Sequence, residues 1–427
     1  MLADAGCGGR FLAATARTFE YSASQIGSSL FTSSRGVLQG GPQSCALYTF
    51  YADTLIQEIK NLGSDGWLGT VHCFMQMDDT IIMATSRDMF IKKLSVCKLT
   101  SDYIEQEMHP VKSKYLTCNV VDTQPIKLDN VIVKHVLMYI YLGTPLSNEP
   151  ISAQVSNHLK EKNGSKLKFY SFLHKNSSAP FCVKEKVWTS ALLSSIYYSC
   201  ETWLGCNQQV LSTPYMQTLK RLLGVRTTTV NELALIEVGA PTPQLFVQQR
   251  QKAFLTKLVS RPSFETSYVG WAVQKAISSG TPMGKSISHI LNHSLTPECD
   301  FHSKVRQSTS TKRQTYCQLN STFQRHPMYN NSKVLEYTRI AATRLRLSSH
   351  SLRVETGRWS RIERSRRVCA CSDAVQDETH VLFHCPLSSH VQAKYPFSDI
   401  KTMAELFALD DTPLVARFCF EILKCYT

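Results

Sequence analysis

The chain has 427 residues, a hydrophobic fraction of 43% and a formal net charge of +14. That is long enough for two or three domains with cores of their own, and the charge favours a polyanionic partner, nucleic acid before membrane. No apolar run approaches the ~18 residues of a membrane span, and no basic stretch leads into an apolar one at the start, MLADAGCGGRFLAATA, so neither a membrane span nor a secretory leader is expected. The 15 cysteines are odd in number and scattered, which speaks against a disulfide framework and for a reducing, intracellular compartment.

In chain order, the first informative stretch is SSRGVLQGGPQSCALYTFYADTL, residues 33–55. Its glycines let backbone approach a ligand closely, and the helix that follows offers an anion-favouring N-terminus. Leu47, Phe50, Tyr51, Leu55 and Ile59 recur at helical spacing, which predicts a helix over 44–62 with Ser44 as its cap. SDG at 64–66 is a turn. Residues 69–76 and 80–85 read as two short strands with Asp78 and Asp79 between them. Residues 88–108 read as a helix with Phe90, Leu94, Leu99, Tyr103 and Ile104 on its apolar side. YLTCNVV and VIVKHV are strand-like, and MYIYLGTPL is an aromatic strand ending at Gly143. Over 40–145 this is an α+β pattern, an antiparallel sheet with helices on one face. Segments 152–175, 183–205, 213–224 and 243–260 are predicted helices. Residues 261–332, rich in Ser, Thr, His and Asn, read as a partly ordered connector. A helix near 333–348 then precedes a Cys/His cluster at 369–385 and a short helical tail.

Two neighbouring carboxylates between apolar strands repel each other unless a divalent cation relieves them. A dipeptide alone is a weak signal, since Asp410-Asp411 occurs in a setting that suggests only a loop. The basic charge is uneven. Residues 301–370 carry fifteen Lys and Arg against three acids, whereas 371–427 carry four against eight. Such asymmetry suggests a nucleic-acid-contacting segment. Within it, TGRWSRIERSRR (356–367) sets Arg358, Arg361, Arg364, Arg366 and Arg367 around Trp359. Guanidinium groups pair with phosphates, and an aromatic ring can stack on an unpaired base. Immediately after come Cys369, Cys371, His380 and Cys385, spaced C-x-C-x₈-H-x₄-C. Three thiolates and an imidazole close a tetrahedral Zn²⁺ shell, with His384 an alternative ligand.

The blocks in the first third of the chain resemble the reverse transcriptases of non-LTR retrotransposons. Arg35-Gly36-Val37-Leu38-Gln39-Gly40-Gly41-Pro42-Gln43-Ser44 is similar to the motif before that family's long palm helix. Phe74-Met75-Gln76-Met77-Asp78-Asp79 falls where the family has Phe-x-Tyr-Ala-Asp-Asp. His109-Pro110-Val111-Lys112-Ser113 resembles the next block, and Tyr141-Leu142-Gly143 the primer grip. The C-terminal Cys/His cluster, behind its basic stretch, resembles the motif downstream of many such polymerases. The likeness implies a partial right-hand palm over 1–148, a helical thumb or connection over 149–260, a connector over 261–332, and a basic segment with a zinc knuckle over 333–427. It implies Asp78 and Asp79 as ligands of Mg²⁺ or Mn²⁺, Lys112 near the pyrophosphate, and Arg35, Gln39 and Gly40 at the template and incoming nucleotide. RNA template, DNA primer and deoxynucleoside triphosphates would be the partners, and nuclear residence is expected from the family alone.

Three departures qualify this. Gln76 stands for the usual Tyr, and Gly41 for the usual Asp. The family's third carboxylate, on an earlier strand, has no counterpart ahead of the Gly-rich block, where only Asp4 and Glu20 occur. The expectation is therefore a fragment of an RNA-directed DNA polymerase, inactive alone. The alternative is a nucleic-acid-binding protein with a degenerate palm and a zinc knuckle.

Overall fold

The computed structural model describes residues 3, 6–20, 23–32, 41, 43–69, 73–103, 106–120, 123–128, 131–293, 299–371 and 374–426. The chain divides into two units, Met1–Asn148 and Glu149–Thr427.

In the first unit, helix α1 (Gly9–Glu20) precedes a hairpin of β1 (Ala23–Ile26) and β2 (Ser29–Thr32). Helix α2 (Ser44–Lys60) follows; of the predicted apolar face Leu55 and Ile59 are buried, Leu47 and Tyr51 half-buried and Phe50 exposed, and Ser44 is the first helical residue rather than the cap, which is Gln43. A second hairpin joins β3 (Cys73–Gln76) to β4 (Asp79–Ile82). Along β3 half-buried Cys73 and Met75 alternate with exposed Phe74 and Gln76, the period of two of a one-sided strand. Helix α3 (Arg87–Tyr103) closes over this hairpin, so that Cys73, Met75 and Ile82 pack on Leu55, Ile59 and Cys97. Each such aliphatic side chain, when fully buried, contributes about 1.5–3 kcal/mol.

Beyond α3 come β5 (Lys114–Tyr115), β6 (Ile126–Leu128) and β7 (Val131–His135), in the spatial order β5-β7-β6 with the β5–β7 pair parallel. A last hairpin pairs β8 (Met138–Tyr141) with β9 (Thr144–Ser147). The α+β content agrees with the sequence reading, but the single antiparallel sheet does not. Among the described residues the strands form four small sheets, one of them mixed. Hairpins of four-residue strands satisfy their own backbone pairs locally, and packing against α2 and α3 covers what a wider sheet would have covered.

The second unit is helical: α4 (Ile151–Glu161), α5 (Asn163–Lys175), α6 (Phe181–Val187), the short α7 (Ser194–Ile196), α8 (Gln208–Leu223), α9 (Asn231–Val238) and α10 (Pro243–Val259). A π-helical stretch, Trp188–Leu193, lies between α6 and α7. Residues 261–332 are not a loose connector. They form α11 (Tyr268–Ser278), α12 (Pro282–Asn292), α13 (Cys299–Arg306) and α14 (Thr311–Leu319). Val273, Ile287 and Ile290 are buried with Leu204 and Leu255, while Val305 and Tyr316 join the main core. Thr281 caps α12 by accepting from the Gly284 N–H, so polar residues here mark helix starts rather than disorder.

The chain ends with α15 (Glu336–Arg346), α16 (Arg353–Trp359), α17 (Ser389–Gln392), α18 (Met403–Phe407) and α19 (Thr412–Lys424). Asp410-Asp411 sits at the start of α19, where Asp411 caps it by accepting from the Leu414 N–H. One connected core runs through this unit, from Val155 and Trp188 to Phe418 and Ile422.

Candidate metal centre

The segment after α16 folds back on itself. Val368 and Val375 form an antiparallel bridge, and the Cys369 N–H donates to the Ala374 carbonyl at 2.8 Å. This carries Cys369 and Cys371 toward a single π-helical turn, His380–His384. The Cys385 N–H donates to the His380 carbonyl at 2.8 Å, a span of five residues. An α turn would leave residues five apart on different faces, since each residue advances ~100°. The wider π turn brings His380 and Cys385 to one side.

The ligand atoms of Cys369, Cys371, His380 and Cys385 all lie within 4.8 Å of one another. Cys369 Sγ is 3.6 Å from Cys385 Sγ, and Cys371 Sγ is 3.2 Å from His380 Nε2. A sulfur pair at 3.6 Å is far from the ~2.05 Å of a disulfide. It is close to the ~3.8 Å edge of a tetrahedron with metal–sulfur bonds near 2.3 Å. All but Cys371 are buried. Burial pushes the Cys369 thiol up, but hydrogen bonds from the Cys371 backbone and from Cys385, Cys371 and Gln376 outweigh it, and its net shift is downward. That favours the thiolate a metal requires. His384 is exposed and stands outside the cluster.

Residues outside the ligand set hold it in place. Gln376 donates from Nε2 to Cys369 Sγ at 3.7 Å, and its Oε1 accepts from the Arg353 N–H at 2.8 Å. Asp377 accepts from the His380 N–H at 3.0 Å and pairs with Arg364 at 3.0 Å. These contacts tie the cluster to α16 and to the basic stretch behind it.

That basic stretch divides by role. Arg367 is committed to backbone: it donates to the Ile362 carbonyl through Nε and Nη2, at 2.9 and 2.6 Å, and to the Val354 carbonyl through Nη1 at 2.8 Å. Gly357 makes room for it, since a Cβ there would lie 2.7 Å from Arg367 Cγ. Arg358 pairs with Glu355 at 3.3 Å and donates to Thr311. Trp359 is exposed but carries the Arg226 guanidinium 4.0 Å from its ring centre, a cation–π contact. Arg361 and Arg366 are exposed. Much of the wider basic excess is structural. Arg339 and Arg346 are buried, paired with Glu336 at 2.7 Å and Glu237 at 2.6 Å, and Arg325 pairs with Glu185 at 2.5 Å. Sequence reasoning missed Glu237, on which Arg346, Tyr316 and Tyr329 all converge.

In the first unit, Asp78 and Asp79 lie at the turn of the β3–β4 hairpin. Gln76 pairs with Asp79, leaving Met77 and Asp78 as the turn, with Met77 at φ +55°. Both acids are exposed. The Tyr141 hydroxyl donates to the Asp79 carbonyl at 3.4 Å, so the β8–β9 turn, Leu142-Gly143, is brought to the acid pair. Beneath them, buried Lys93 reaches Asp65 at 2.5 Å and the Met83 carbonyl at 2.7 Å. Burial pushes the Asp65 carboxyl up, but Lys93 and Thr85 outweigh it and lower it overall. Lys112 is exposed in the turn that ends at residue 112, where its N–H donates to His109 Nδ1 at 3.3 Å. Arg35, Gln39 and Gly40 lie outside the described residues. Among the described residues, the cysteine cluster is the one group of three or more potential metal ligands, and Asp78 and Asp79 acquire no third.

No described helix is long and apolar enough to cross a membrane. No protein-family model matches the sequence, and no curated protein matches it.

Proposed function

We propose that this chain is a piece of a non-LTR retrotransposon reverse transcriptase that acts through nucleic-acid binding and does not by itself catalyse nucleotidyl transfer. What carries the reading is the order and spacing of the four sequence blocks, supported by the position of Asp78-Asp79 on a hairpin turn within reach of Tyr141. Its partners in this reading are an RNA template, a DNA primer and deoxynucleoside triphosphates.

Zn²⁺ fits the C-terminal ligand set. Cys369, Cys371, His380 and Cys385 would hold it, and with four protein ligands the ion supplies folding energy, with no open position for a substrate. The chemistry of this region lies in the chain beside it. Arg361 and Arg366 offer guanidinium groups to phosphates, and the Asp377–Arg364 pair fixes part of that stretch to the ligand turn. Mg²⁺ or Mn²⁺ fits less well. Asp78 and Asp79, exposed and without a third ligand among the described residues, do not make a two-cation centre. No transfer step follows from them.

Two measurements test the proposal. A labelled single-stranded RNA should bind with affinity that falls steeply as salt rises, and Arg361→Gln with Arg366→Gln should flatten that slope by about 1.4, near 0.7 for each lost phosphate contact. Affinity that does not change with salt would refute the binding role. Primer extension on an RNA template with Mg²⁺ or Mn²⁺ should give no product. Extension that disappears in Asp78→Ala would show instead a working polymerase centre.

A further inference from the structure

A cleft of about 420 Å³ opens in the helical unit between α5, α8 and α15 and the loop after α15. That volume falls within the ~300–1,000 Å³ of small-ligand sites. Its walls are basic. Arg221, Arg226 and Arg344 line it, and Lys184 and Glu336 lie deeper. Glu336 is already engaged by Lys184 at 3.0 Å and by Arg339 at 2.7 Å. Of the other acids nearby, Glu355 is held by Lys312 and Arg358, and Glu378 by His350 and Ser348. Among the described residues, none of the three lining arginines has a carboxylate at ion-pair distance.

The arginines are held close by the fold. Arg344 donates from Nε to the Gly224 carbonyl at 2.8 Å, across the left-handed end of α8. Gly224 sits at φ +73°, and a Cβ there would lie 2.9 Å from Ile340, so the backbone passes tight against α15. The Arg226 N–H donates to Ser349 Oγ at 2.9 Å. Both guanidinium groups are shifted downward. Burial lowers Arg226 against the attraction of Glu355, and for Arg344 burial is joined by repulsion from Arg226 and Arg339. Like charges lining one cleft, none of them at ion-pair distance from a carboxylate among the described residues, suit an oxyanion.

We infer that this cleft binds a phosphate group, recognised by Arg221, Arg226 and Arg344. The inference is independent of the polymerase reading, because it rests on the helical unit alone. Phosphate can come from a nucleic-acid strand or as a free anion, and both share this chemistry. Arg226 stacks on Trp359, so one wall of the cleft reaches the exposed basic stretch, which gives a strand a path out of it.

The test is calorimetric titration of the full, metal-loaded chain with inorganic phosphate and with a 15-nucleotide single-stranded oligonucleotide. Arg221→Gln combined with Arg226→Gln should weaken phosphate binding at least tenfold, while Arg417→Gln, an exposed arginine on α19, should leave it unchanged. Arg221 is exposed and Arg226 half-buried, so the thermal unfolding midpoint should hold in the first variant. If it does not, Arg221→Gln alone carries the test. Displacement of phosphate by the oligonucleotide assigns the site to a strand, and failure to displace assigns it to the free anion. No phosphate binding by the parent chain, or equal binding by a folded Arg221→Gln chain, would overturn the inference.

Discussion

The two units of the chain are stabilised differently. In Glu149–Thr427 one large core links helices from α4 to α19, with a smaller cluster around Leu255, Val273 and Ile287 beside it. Among the described residues of Met1–Asn148 the core is two small clusters, one around Leu94, Tyr115 and Val133 and the other around Leu55, Ile59 and Cys97. There Tyr103 and Leu137 are each 80% exposed, and Trp67 and Leu99 are largely exposed. The metal ligands therefore stand on a well-packed body. The paired acids stand on a hairpin held by a few aliphatic contacts and the Asp65–Lys93 pair. Precision in a site follows the packing beneath it: three thiols and an imidazole converge on the packed body, while among the described residues the acid pair has no third potential ligand.

The sharpest test of this contrast is metal removal. On the proposed reading the chain carries one zinc ion, and chelation or Cys385→Ser should reduce that to none. Structural zinc binding is worth ~10–16 kcal/mol at neutral pH, so hydrogen exchange should rise steeply over 368–385. The core around Trp188 and Tyr215 should stay protected. Collapse of that core as well would mean the metal holds the whole unit, and the comparison would fail.

Next in size are two buried ion pairs, one taken from each unit. Glu237→Ala strands the Arg346 guanidinium, and Lys93→Ala strands the Asp65 carboxylate, both nearly without solvent access. Each should cost about 3–5 kcal/mol. The contrast predicts different outcomes in thermal unfolding. The helical unit should keep a cooperative transition after Glu237→Ala, only lowered, whereas the first unit should lose its own after Lys93→Ala.

A pH effect of about 3 kcal/mol should come from His326. Its Nε2 donates to the Phe407 carbonyl at 3.0 Å while Nδ1 accepts from the Met328 N–H at 3.2 Å, so the ring is neutral and both nitrogens are used. Burial, then Arg346, lowers it from 6.5 to about 4. Between those values the unfolded chain takes a proton that the folded chain refuses. Stability is full above pH 6.5 and falls as the pH is lowered toward 4. Denaturant unfolding of the helical unit across that window measures it, and His326→Gln should remove most of the dependence.

The smallest effect belongs to the acid hairpin. Met77 holds φ +55°, a conformation glycine adopts without strain, so Met77→Gly should stabilise the first unit by less than ~1 kcal/mol. A large loss on chemical denaturation would mean the Met77 side chain carries packing that the hairpin needs.

Periodicity made α2 and α3 legible as helices through Leu55, Ile59 and Leu94, but it also put Phe50, Leu99 and Tyr103 on their apolar faces, and these are exposed; the β3–β4 hairpin was legible from two short apolar runs around Asp78-Asp79. The convergence of Cys369, Cys371, His380 and Cys385 into one potential metal-ligand cluster was legible from their spacing. The helices of 261–332 were not, since their polar composition hid Val273, Ile287 and Ile290 at buried positions. Charge counting misjudged Arg339 and Arg346. It saw basic residues without the acid Glu237, which lies 109 positions from Arg346 in the chain. Neither could the sequence foretell the separate small sheets, because the pairing of β5 with β7 depends on contacts that no local pattern encodes.

The five-residue turn from His380 to Cys385 has a consequence for how this module tolerates length change. A version shortened by one residue between the two ligands could wind as an ordinary four-residue turn and still present both donors to the same ion. The register of the ligand loop is thus elastic by one position. A deletion there would tighten the coil, whereas an insertion would swing the thiol away from its partners.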